Sequence, residues 1–321
     1  MSAATPASTP ATVPDGGGHP DDELHTPTSD DPAWSETCWF TFTVPERNLS
    51  GQFYPYFLAN LGVAAAGAYF WDTGGDTPAT CRYAKNFWHL PFPTTPLTDL
   101  RLANGLRYRC VRSQESWELA YDDPDGDEIH VELTFTAVAP PNHLFESHLD
   151  QPGRVTGTIV LHGETIPVDA FGFRDRSWGA RTQFGPDLQA SGADRGGYSY
   201  ATASERDGFH TITMDWGGGC TNLHGYLLRD GTWSKLATAT RVVTERDADG
   251  YPRTVTIDGA DELGRELHAV GTTRNRFAFF INPNLFSRNC LTEWTFDGVT
   301  AWGEDHDNWS AAAIRRAHRP D

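Results

Sequence analysis

Basic residues are scarce in this chain of 321 residues, where 25 Lys and Arg stand against 43 Asp and Glu and the formal charge is −18. Such an excess of negative charge argues against nucleic acid or an anionic membrane surface as a partner. The chain also lacks any run near the roughly 18 apolar residues that span a bilayer as a helix. Its most apolar segment, residues 57–70, is interrupted by Asn60, Gly62 and Gly67. We therefore expect buried strand there and no insertion into a membrane.

Cysteine occurs in no pattern that builds a disulfide scaffold or a zinc site. The five cysteines are widely spaced and odd in number: Cys38, Cys81, Cys110, Cys220 and Cys290. No two of them form a CxxC pair. No basic residue precedes Arg47 and no apolar core stands near the N-terminus, so a secretory leader is not expected. These features predict buried thiols in a cytoplasmic protein.

Residues 1–32 are rich in Pro, Ser, Thr, Ala, Gly and Asp and have hardly any bulky apolar side chains. Burial of so few apolar groups cannot offset the entropy lost on ordering. We predict a disordered acidic tail at 1–32. One barrel-sized unit is then expected at 33–165, a second at 166–306, and a short helix or tail at 307–321.

Alternation of apolar and polar residues with a period of two dominates the rest of the chain. It is clearest at residues 129–137, where apolar side chains alternate with His, Glu and Thr, as in a strand with one buried face. Asp-Gly pairs at residues 207–208, 230–231 and 297–298 indicate hairpin turns. Long amphipathic helices do not alternate with these strands. The prediction is an all-β fold of two consecutive antiparallel β-barrels.

The most unusual stretch is residues 171–181, Phe-Gly-Phe-Arg-Asp-Arg-Ser-Trp-Gly-Ala-Arg. In an extended strand its side chains divide between two faces, with Arg174, Arg176 and Trp178 on one and Phe173, Asp175 and Ser177 on the other. A charge cluster within an apolar β pattern is costly unless its members satisfy one another. The stretch is therefore either a structural joint or a site.

The run Arg174-Asp-Arg-Ser-Trp-Gly179, with Arg181 after it, resembles the signature of a bacterial family of paired lipocalin-like β-barrels. That family is related to the carotenoid 1,2-hydratases and to the lipocalin-like Diels–Alderases. The resemblance covers about residues 34–302. It implies two lipocalin-like barrels and an activity among hydratases, cyclases or members without a known reaction, because one fold hosts several chemistries.

Two interpretations of the central stretch compete. In the functional one, Asp175 donates or accepts a proton, and Arg174 and Arg176 hold it ionised, which favours a base over an acid. In the structural one, Trp178 and an arginine close the end of a barrel, with the guanidinium stacked on the indole.

A second candidate site surrounds the glycines at 217–219. Asp215 and His224 flank that loop and are the residue types of a proton-transfer pair. Asp215, beside Met214 and Trp216, is a candidate for a carboxyl kept neutral by an apolar setting. The alternative is a flexible hairpin loop carrying a surface Asp and His.

Aromatic residues could line a ligand cavity in the second barrel, since ring faces hold flat or polyene-like ligands and stabilise positive charge. The candidates are Tyr198, Tyr200, Trp216, Trp294 and Trp178, and the alternative for each is ordinary core packing. Glu293, beside Trp294, is a further candidate acid. No cofactor motif is found, and His143 and His148 or residues 304–307 do not have metal-site spacing, so no cofactor and no metal are expected.

Two functions therefore remain. One is a cofactor-independent enzyme that hydrates, dehydrates, isomerises or cyclises a hydrophobic isoprenoid-, steroid- or polyketide-like molecule. The other is a carrier that holds such a ligand unchanged. The discriminating feature is an ionisable group that projects into the ligand cavity, which a catalyst needs and a carrier does not.

Overall fold

A computed structural model describes residues 18–181 and 193–319 of the chain. Nearly all its regular structure is antiparallel strand. The first eleven strands are β1 Trp34–Val44, β2 Leu49–Leu58, β3 Val63–Trp71, β4 Tyr83–Pro91, β5 Asp99–Arg101, β6 Leu106–Arg112, β7 Ser116–Asp122, β8 Ile129–Ala137, β9 Asn142–Leu144, β10 His148–Leu161 and β11 Glu164–Ala180. The rest are β12 Arg195–Ser204, β13 Asp207–Asp215, β14 Cys220–Arg229, β15 Thr232–Arg246, β16 Pro252–Asp261, β17 Glu266–Thr273, β18 Phe277–Asn282, β19 Leu285–Phe296 and β20 Val299–Ser310, followed by helix α1, Ala311–Ala317.

The first eleven strands form one curved sheet in the order β4-β3-β2-β1-β11-β10-β8-β7-β6-β5, with β9 beside β10. Its two edge strands, β4 and β5, are not hydrogen-bonded to each other in the described residues, so the sheet is a half-barrel. A large apolar cluster fills its concave side, built from the inward residues of the alternating strands, including Phe40, Trp117 and Phe135. Burial of this cluster is the main stabilising contribution of the sheet.

The later strands close into a barrel. Strands β12 to β17 follow one another, β17 pairs with β19, and β19 and β20 return the sheet to β12. The inside of this eight-stranded barrel is packed with apolar side chains, among them Phe209, Trp294 and Phe296. The all-β fold of two consecutive antiparallel units is thus confirmed, with the first unit open and the second closed.

The hairpin turns agree in part with the Asp-Gly signals. Asp230 and Gly231, and likewise Asp297 and Gly298, both have positive φ, as the two central residues of a type I′ turn require. Asp207 and Gly208 instead belong to β13, and the turn lies just before them. Two cysteines are buried and three are partly exposed, and all five are free thiols.

The first sheet extends beyond residue 165, where the sequence suggested the boundary between the units. β11 pairs with β10 and also with β1, so that Cys38 lies opposite Arg176. The central stretch therefore lies in the middle of the first sheet. The hairpin at His162-Gly163 was visible in the sequence, but nothing local indicates that β11 also covers the free edge of β1.

Part of the expected tail is docked on the first sheet. Asp22 is fully buried and its Oδ1 accepts a hydrogen bond from Arg174 Nη2 at 2.6 Å. His25 stacks on Trp178 with ring centroids 4.3 Å apart. The expectation of disorder up to residue 32 is therefore corrected for residues 18–32, because the buried arginines require acceptors that this segment supplies. Residues 1–17 lie outside the described residues.

The half-barrel packs its outer side against the outer side of the closed barrel. Odd-numbered residues of β1 and β11 face this interface: Trp39 and Phe173 pack with Tyr198 and Tyr200, and Thr41 Oγ1 donates to Glu304 Oε2 at 3.2 Å. Among the described residues, no helix is both long enough and apolar enough to cross a membrane.

Candidate active site between the sheet and the barrel

A cavity of about 570 Å³ lies at the interface between the half-barrel and the closed barrel. Its walls are mainly apolar and aromatic, and polar groups from both units also line it, the arrangement expected of a small-molecule site. The aromatic walls include Trp39, Tyr54, Trp178, Tyr198 and Phe279, and the polar groups include His148, Asp175, Ser177 and His306.

The register of two neighbouring strands places the polar groups together. In the β10–β11 hairpin, His148 is opposite Ser177 and Asp150 is opposite Asp175. Since alternate residues of a strand share a face, all four side chains point to the interface. His148 Nε2 lies 2.7 Å from Asp150 Oδ2, and its Nδ1 lies 2.7 Å from Ser177 Oγ and 3.7 Å from Asp175 Oδ2.

Burial and neighbouring charges separate the pKa values of these groups. Burial acts to lower the pKa of His148, but Asp150 and Asp175 outweigh it and raise this pKa to about 9. The Asp150 carboxylate is desolvated as well, yet its histidine neighbours, His148 above all, hold its pKa well below the usual range. Burial, with a contribution from the charge of Asp150, raises the pKa of Asp175 to about 6. At neutral pH the site therefore contains a His148–Asp150 ion pair beside a carboxyl that titrates close to neutrality.

The two arginines next to Asp175 in sequence do not hold it ionised. Arg174 points to the opposite face, where it pairs with Asp22 and lies 4.6 Å from the centroid of Trp117. Arg176 pairs there with Glu36 at 2.8 Å. The alternation of the strand thus separates Asp175 from its sequence neighbours, and the expectation that these cations favour a base is wrong.

The closed barrel contributes the other side of the cluster. Tyr198 donates a hydrogen bond to Asp150 Oδ1 at 2.5 Å. His224 Nε2 and His210 Nδ1 lie 3.4 and 3.7 Å from Asp150 Oδ2. Burial lowers the pKa of His210 to about 3, so this imidazole is neutral at pH 7. Tyr198 also stacks on His306, with centroids 5.5 Å apart.

Two triplets of this cluster have donor atoms within 4.8 Å of one another: Asp150, His210 and His224, and His148, Asp150 and Asp175. That spacing suits a hydrogen-bonded cluster as well as a metal site, and His and carboxylate are the donor types that zinc accepts. The expectation that the protein uses no metal stays a prediction.

Ser177 is the outer member of a chain of hydrogen bonds, Ser177–His148–Asp150, that resembles a nucleophile with its base. The electrostatics argue against that role. With its pKa near 9, His148 is protonated at neutral pH and cannot accept the serine proton. We therefore interpret Ser177 as an acceptor that orients the imidazolium, in agreement with the sequence, which has no nucleophile elbow.

The sequence candidates are distributed unevenly around this site. Asp175, Tyr198 and Trp178 line the cavity, and His224 belongs to the cluster around Asp150. Tyr200 lies behind the wall, stacked on Phe173 at 4.5 Å.

Asp215 lies away from the cavity lining. Arg195 Nε donates to its Oδ2 at 2.7 Å, and the N–H groups of Gly217 and Gly219 donate to its Oδ1 at 2.8 and 3.0 Å. Burial acts to raise the pKa of Asp215, but these hydrogen bonds outweigh it and lower the pKa. The prediction that Asp215 is a carboxyl kept neutral by an apolar setting is therefore wrong. Asp215 instead stabilises the glycine loop through these hydrogen bonds.

The remaining candidates are also not among the residues that line the cavity. Glu293 forms an ion pair with Arg274, Trp294 is packed inside the closed barrel, and Trp216 is 50% exposed. The residues that sequence reasoning missed are His148, as a proton-transfer group, and Asp150. The available signal was the turn at His162-Gly163: counting back equally along both strands pairs Asp150 with Asp175.

Comparison with known proteins gives a family and a fold. The family described as "Domain of unknown function (DUF7064)" matches residues 18–310, and the chain belongs to it. The comparison with curated proteins found no match.

Solved structures share the fold at low identity. A protein of Nitrosomonas europaea provisionally named AttH is 15% identical, with a TM-score of 0.62 over 93% of this chain and 99% of that one. CghA, solved with Sch210972, is 12% identical, with a TM-score of 0.52 over 86% and 88% of the two chains. Kievitone hydratase of Nectria haematococca is 11% identical, with a TM-score of 0.52 over 89% and 90%. These similarities show a common fold.

Proposed function

We propose that this chain is a cofactor-independent enzyme that carries out proton-transfer chemistry on a hydrophobic small molecule. The reaction class is hydration or dehydration, isomerisation or cyclisation of an isoprenoid-, steroid- or polyketide-like substrate. The observation that carries the proposal is Asp175, a carboxyl with only 13% of its side chain exposed, whose pKa is raised to about 6 and which lines an aromatic cavity. A carrier has no need of such a group.

Asp175 is the proton donor in this proposal. In the hydration direction its O–H bond breaks as a C–H bond forms at one alkene carbon, and the π electrons leave a cation at the other. Water adds to that cation, and its surplus proton returns to the Asp175 carboxylate. A catalytic acid is most effective when its pKa is near the working pH, and a value of about 6 meets this condition.

The neighbours of Asp175 fit supporting roles. Trp39, opposite Asp175 on β1, and Tyr198 offer ring faces that stabilise a developing cation. Asp150 is a positioning residue: its negative charge helps keep the proton on Asp175, and its ion pair with His148 leaves no net charge beside the cation. An isomerase or cyclase would use the same wall with less access for water.

The structural neighbours support the reaction class without defining it, since one of them is a hydratase. All five cysteines are free thiols, which supports our proposal of a cytoplasmic location.

The test is turnover of a panel of hydrophobic alkenes and alcohols, measured against pH for the wild type and Asp175→Asn. We expect the variant to keep the wild-type melting temperature and to lose about 10²- to 10⁴-fold in kcat/KM, the usual contribution of a general acid. Turnover that survives in Asp175→Asn would refute the assignment of the acid. Tight binding of the panel without turnover by the wild type would favour a non-catalytic carrier.

A further inference from the structure

A second, smaller cavity of about 280 Å³ adjoins the candidate active site. Both cavities are lined by Tyr54, Arg181, Phe279 and Ile281. Three of these four shared residues are apolar or aromatic, and Arg181 is the only cationic residue among them. A ligand that extends from one cavity into the other therefore passes a guanidinium.

The guanidinium of Arg181 has few partners among the described residues. Its Nη2 donates to Thr37 Oγ1 at 3.0 Å, and its Nε is buried with no hydrogen-bond partner in that part of the chain. In residues 18–181 and 193–319, no carboxylate forms an ion pair with it. Other interior arginines of the chain do have such partners, as Arg174 has Asp22 and Arg241 has Asp305. A guanidinium offers five N–H donors, and within the described ranges Thr37 accepts one of those of Arg181.

Arg181 directly follows β11, which ends at Ala180, and lines the same cavity as the acid. Asp175, Ser177, Gly179 and Arg181 are alternate residues, and all four line the larger cavity. Thr37, whose Oγ1 accepts a hydrogen bond from Arg181, lies opposite Ser177 across β1 and β11, so the guanidinium is held beside the same part of β11 as the acid. The backbone N–H of Arg181 donates to the carbonyl of Ala33 at 3.2 Å, which fixes the start of its side chain.

We propose that Arg181 binds a carboxylate, or a comparable anionic oxygen group, on an otherwise hydrophobic substrate. The inference rests on the proposed function and adds the substrate's class: an amphipathic acid. Its apolar body lies in the larger cavity with the reacting carbons over Asp175, and its anionic group lies at the junction with the smaller cavity. With a formal charge of −18, the protein as a whole repels anions, so a local cation is required to hold one.

The test uses a matched pair of ligands. Dodecanoate and dodecanol differ in the head group and share the alkyl chain, and each is titrated at pH 8 against bound N-phenyl-1-naphthylamine, a neutral fluorescent probe. We expect wild type to bind dodecanoate at least about tenfold more tightly than dodecanol, as for a charge-assisted hydrogen bond in a partly buried site. Arg181→Gln should bring the ratio of the two dissociation constants close to one. Arg181→Lys should keep part of the preference, because a lysine retains the charge without the bidentate geometry.

The matched control is Arg112→Gln, which removes an arginine whose side chain is 72% exposed and should leave the ratio as in wild type. Equal affinities in wild type would overturn the proposal, and so would an unchanged ratio in an Arg181→Gln protein with the wild-type melting temperature. The ratio of the dodecanoate and dodecanol dissociation constants is measured first on the wild type, so a folding defect in a variant cannot hide whether the wild type prefers the carboxylate. Absence of probe binding would overturn both this proposal and the proposed function.

The two proposals can fail separately. If Arg181→Gln loses the preference for the carboxylate and no substrate is turned over, the anion site is supported and the proposed enzymatic function is refuted. If turnover depends on Asp175 and the wild type binds the acid and the alcohol with equal affinity, the enzymatic function is supported and the anion site is refuted.

Discussion

Asp150 lies directly opposite Asp175 across the β10–β11 hairpin, and the side chain of His148 lies within 2.7 Å of the first carboxylate and 3.7 Å of the second. Asp150 is fully buried and the Asp175 side chain is 13% exposed, and two carboxylates in such a setting that share one cation cannot be equally ionised without cost. The Tyr198 hydroxyl and the charged His148 favour the charge on Asp150, which leaves Asp175 as the member that holds a proton near neutral pH. Asp150 is thus the ionised carboxylate and Asp175 the proton donor, because Asp150 accepts more hydrogen bonds than Asp175 does.

The charge of Asp150 should act on the pKa of Asp175, and His148 has to be removed for this effect to be measured. Asp150 raises the pKa of Asp175 directly, but it also keeps the proton on His148, whose charge lowers the pKa of Asp175. In a His148→Gln background only the direct effect is left, so the double variant His148→Gln/Asp150→Asn should have a lower Asp175 pKa than His148→Gln alone. Because the protonated form is the active one, activity in the hydration direction should decline at lower pH in the double variant. The measurement is the pH dependence of kcat/KM for these two proteins, and identical profiles would show that Asp150 does not set the pKa of the acid.

Tyr198→Phe should separate binding from chemistry. The ring that lines the cavity is kept, while the hydrogen bond of 2.5 Å to Asp150 is lost. A hydrogen bond to a charged group contributes about 1.5–3 kcal/mol, so we expect kcat to fall about tenfold or more with little change in KM. Tyr226→Phe is the control, because its buried hydroxyl has no partner among the described residues. Equal effects of the two variants would contradict the role of Tyr198.

The sequence predicts features that depend on a single strand or hairpin, and it does not predict contacts that depend on how the two sheets pack together. The strand at residues 129–137 and the opposite faces of Arg174 and Asp175 follow from a period of two, and both are observed. The same period already separated Asp175 from the two arginines, so its pKa could have been predicted to rise. The convergence of Tyr198, His210 and His224 on Asp150 could not, because it depends on how the outer face of one sheet packs on another. No residue pattern within either sheet encodes that contact.

Packing between distant segments also explains why residues 18–32 are ordered although their sequence predicts disorder. Asp22 stands in a segment with few apolar residues, yet it is buried because Arg174, fixed in the first sheet, needs a counter-charge. We expect Asp22→Ala to destabilise the protein by about 3–5 kcal/mol, since it leaves a buried cation without a partner. The free energy of unfolding in urea measures this, with Asp30→Ala, at an exposed position of the same segment, as the control. The double variant Asp22→Ala/Arg174→Met should recover part of the loss, and a double variant as unstable as the single one would argue against the ion pair as the cause.

His148 should make the stability of the fold depend on pH above neutrality. Its pKa is raised from 6.5 to about 9 in the folded state, so the folded protein holds a proton that the unfolded chain releases as the pH rises past 6.5. The stabilisation is fully present below pH 6.5 and is lost as the pH rises toward and through 9. Within this window the free energy of unfolding should decrease with pH, at a slope of up to about 1.4 kcal/mol per pH unit from this one proton.

The measurement is urea unfolding of wild type and His148→Gln at several pH values between 6 and 9.5. Groups such as the thiols titrate in both proteins, so the difference between the two curves isolates His148. The difference should be largest at pH 6 and shrink as the pH approaches 9.5. His268→Gln is the matched control, because that histidine has a carboxylate partner, Asp258, but its side chain is 66% exposed, and its removal should leave the slope as in wild type. A constant difference between wild type and His148→Gln across this range would mean that His148 does not carry the proton, and the ion pair with Asp150 on which the proposed acid depends would then have to be abandoned.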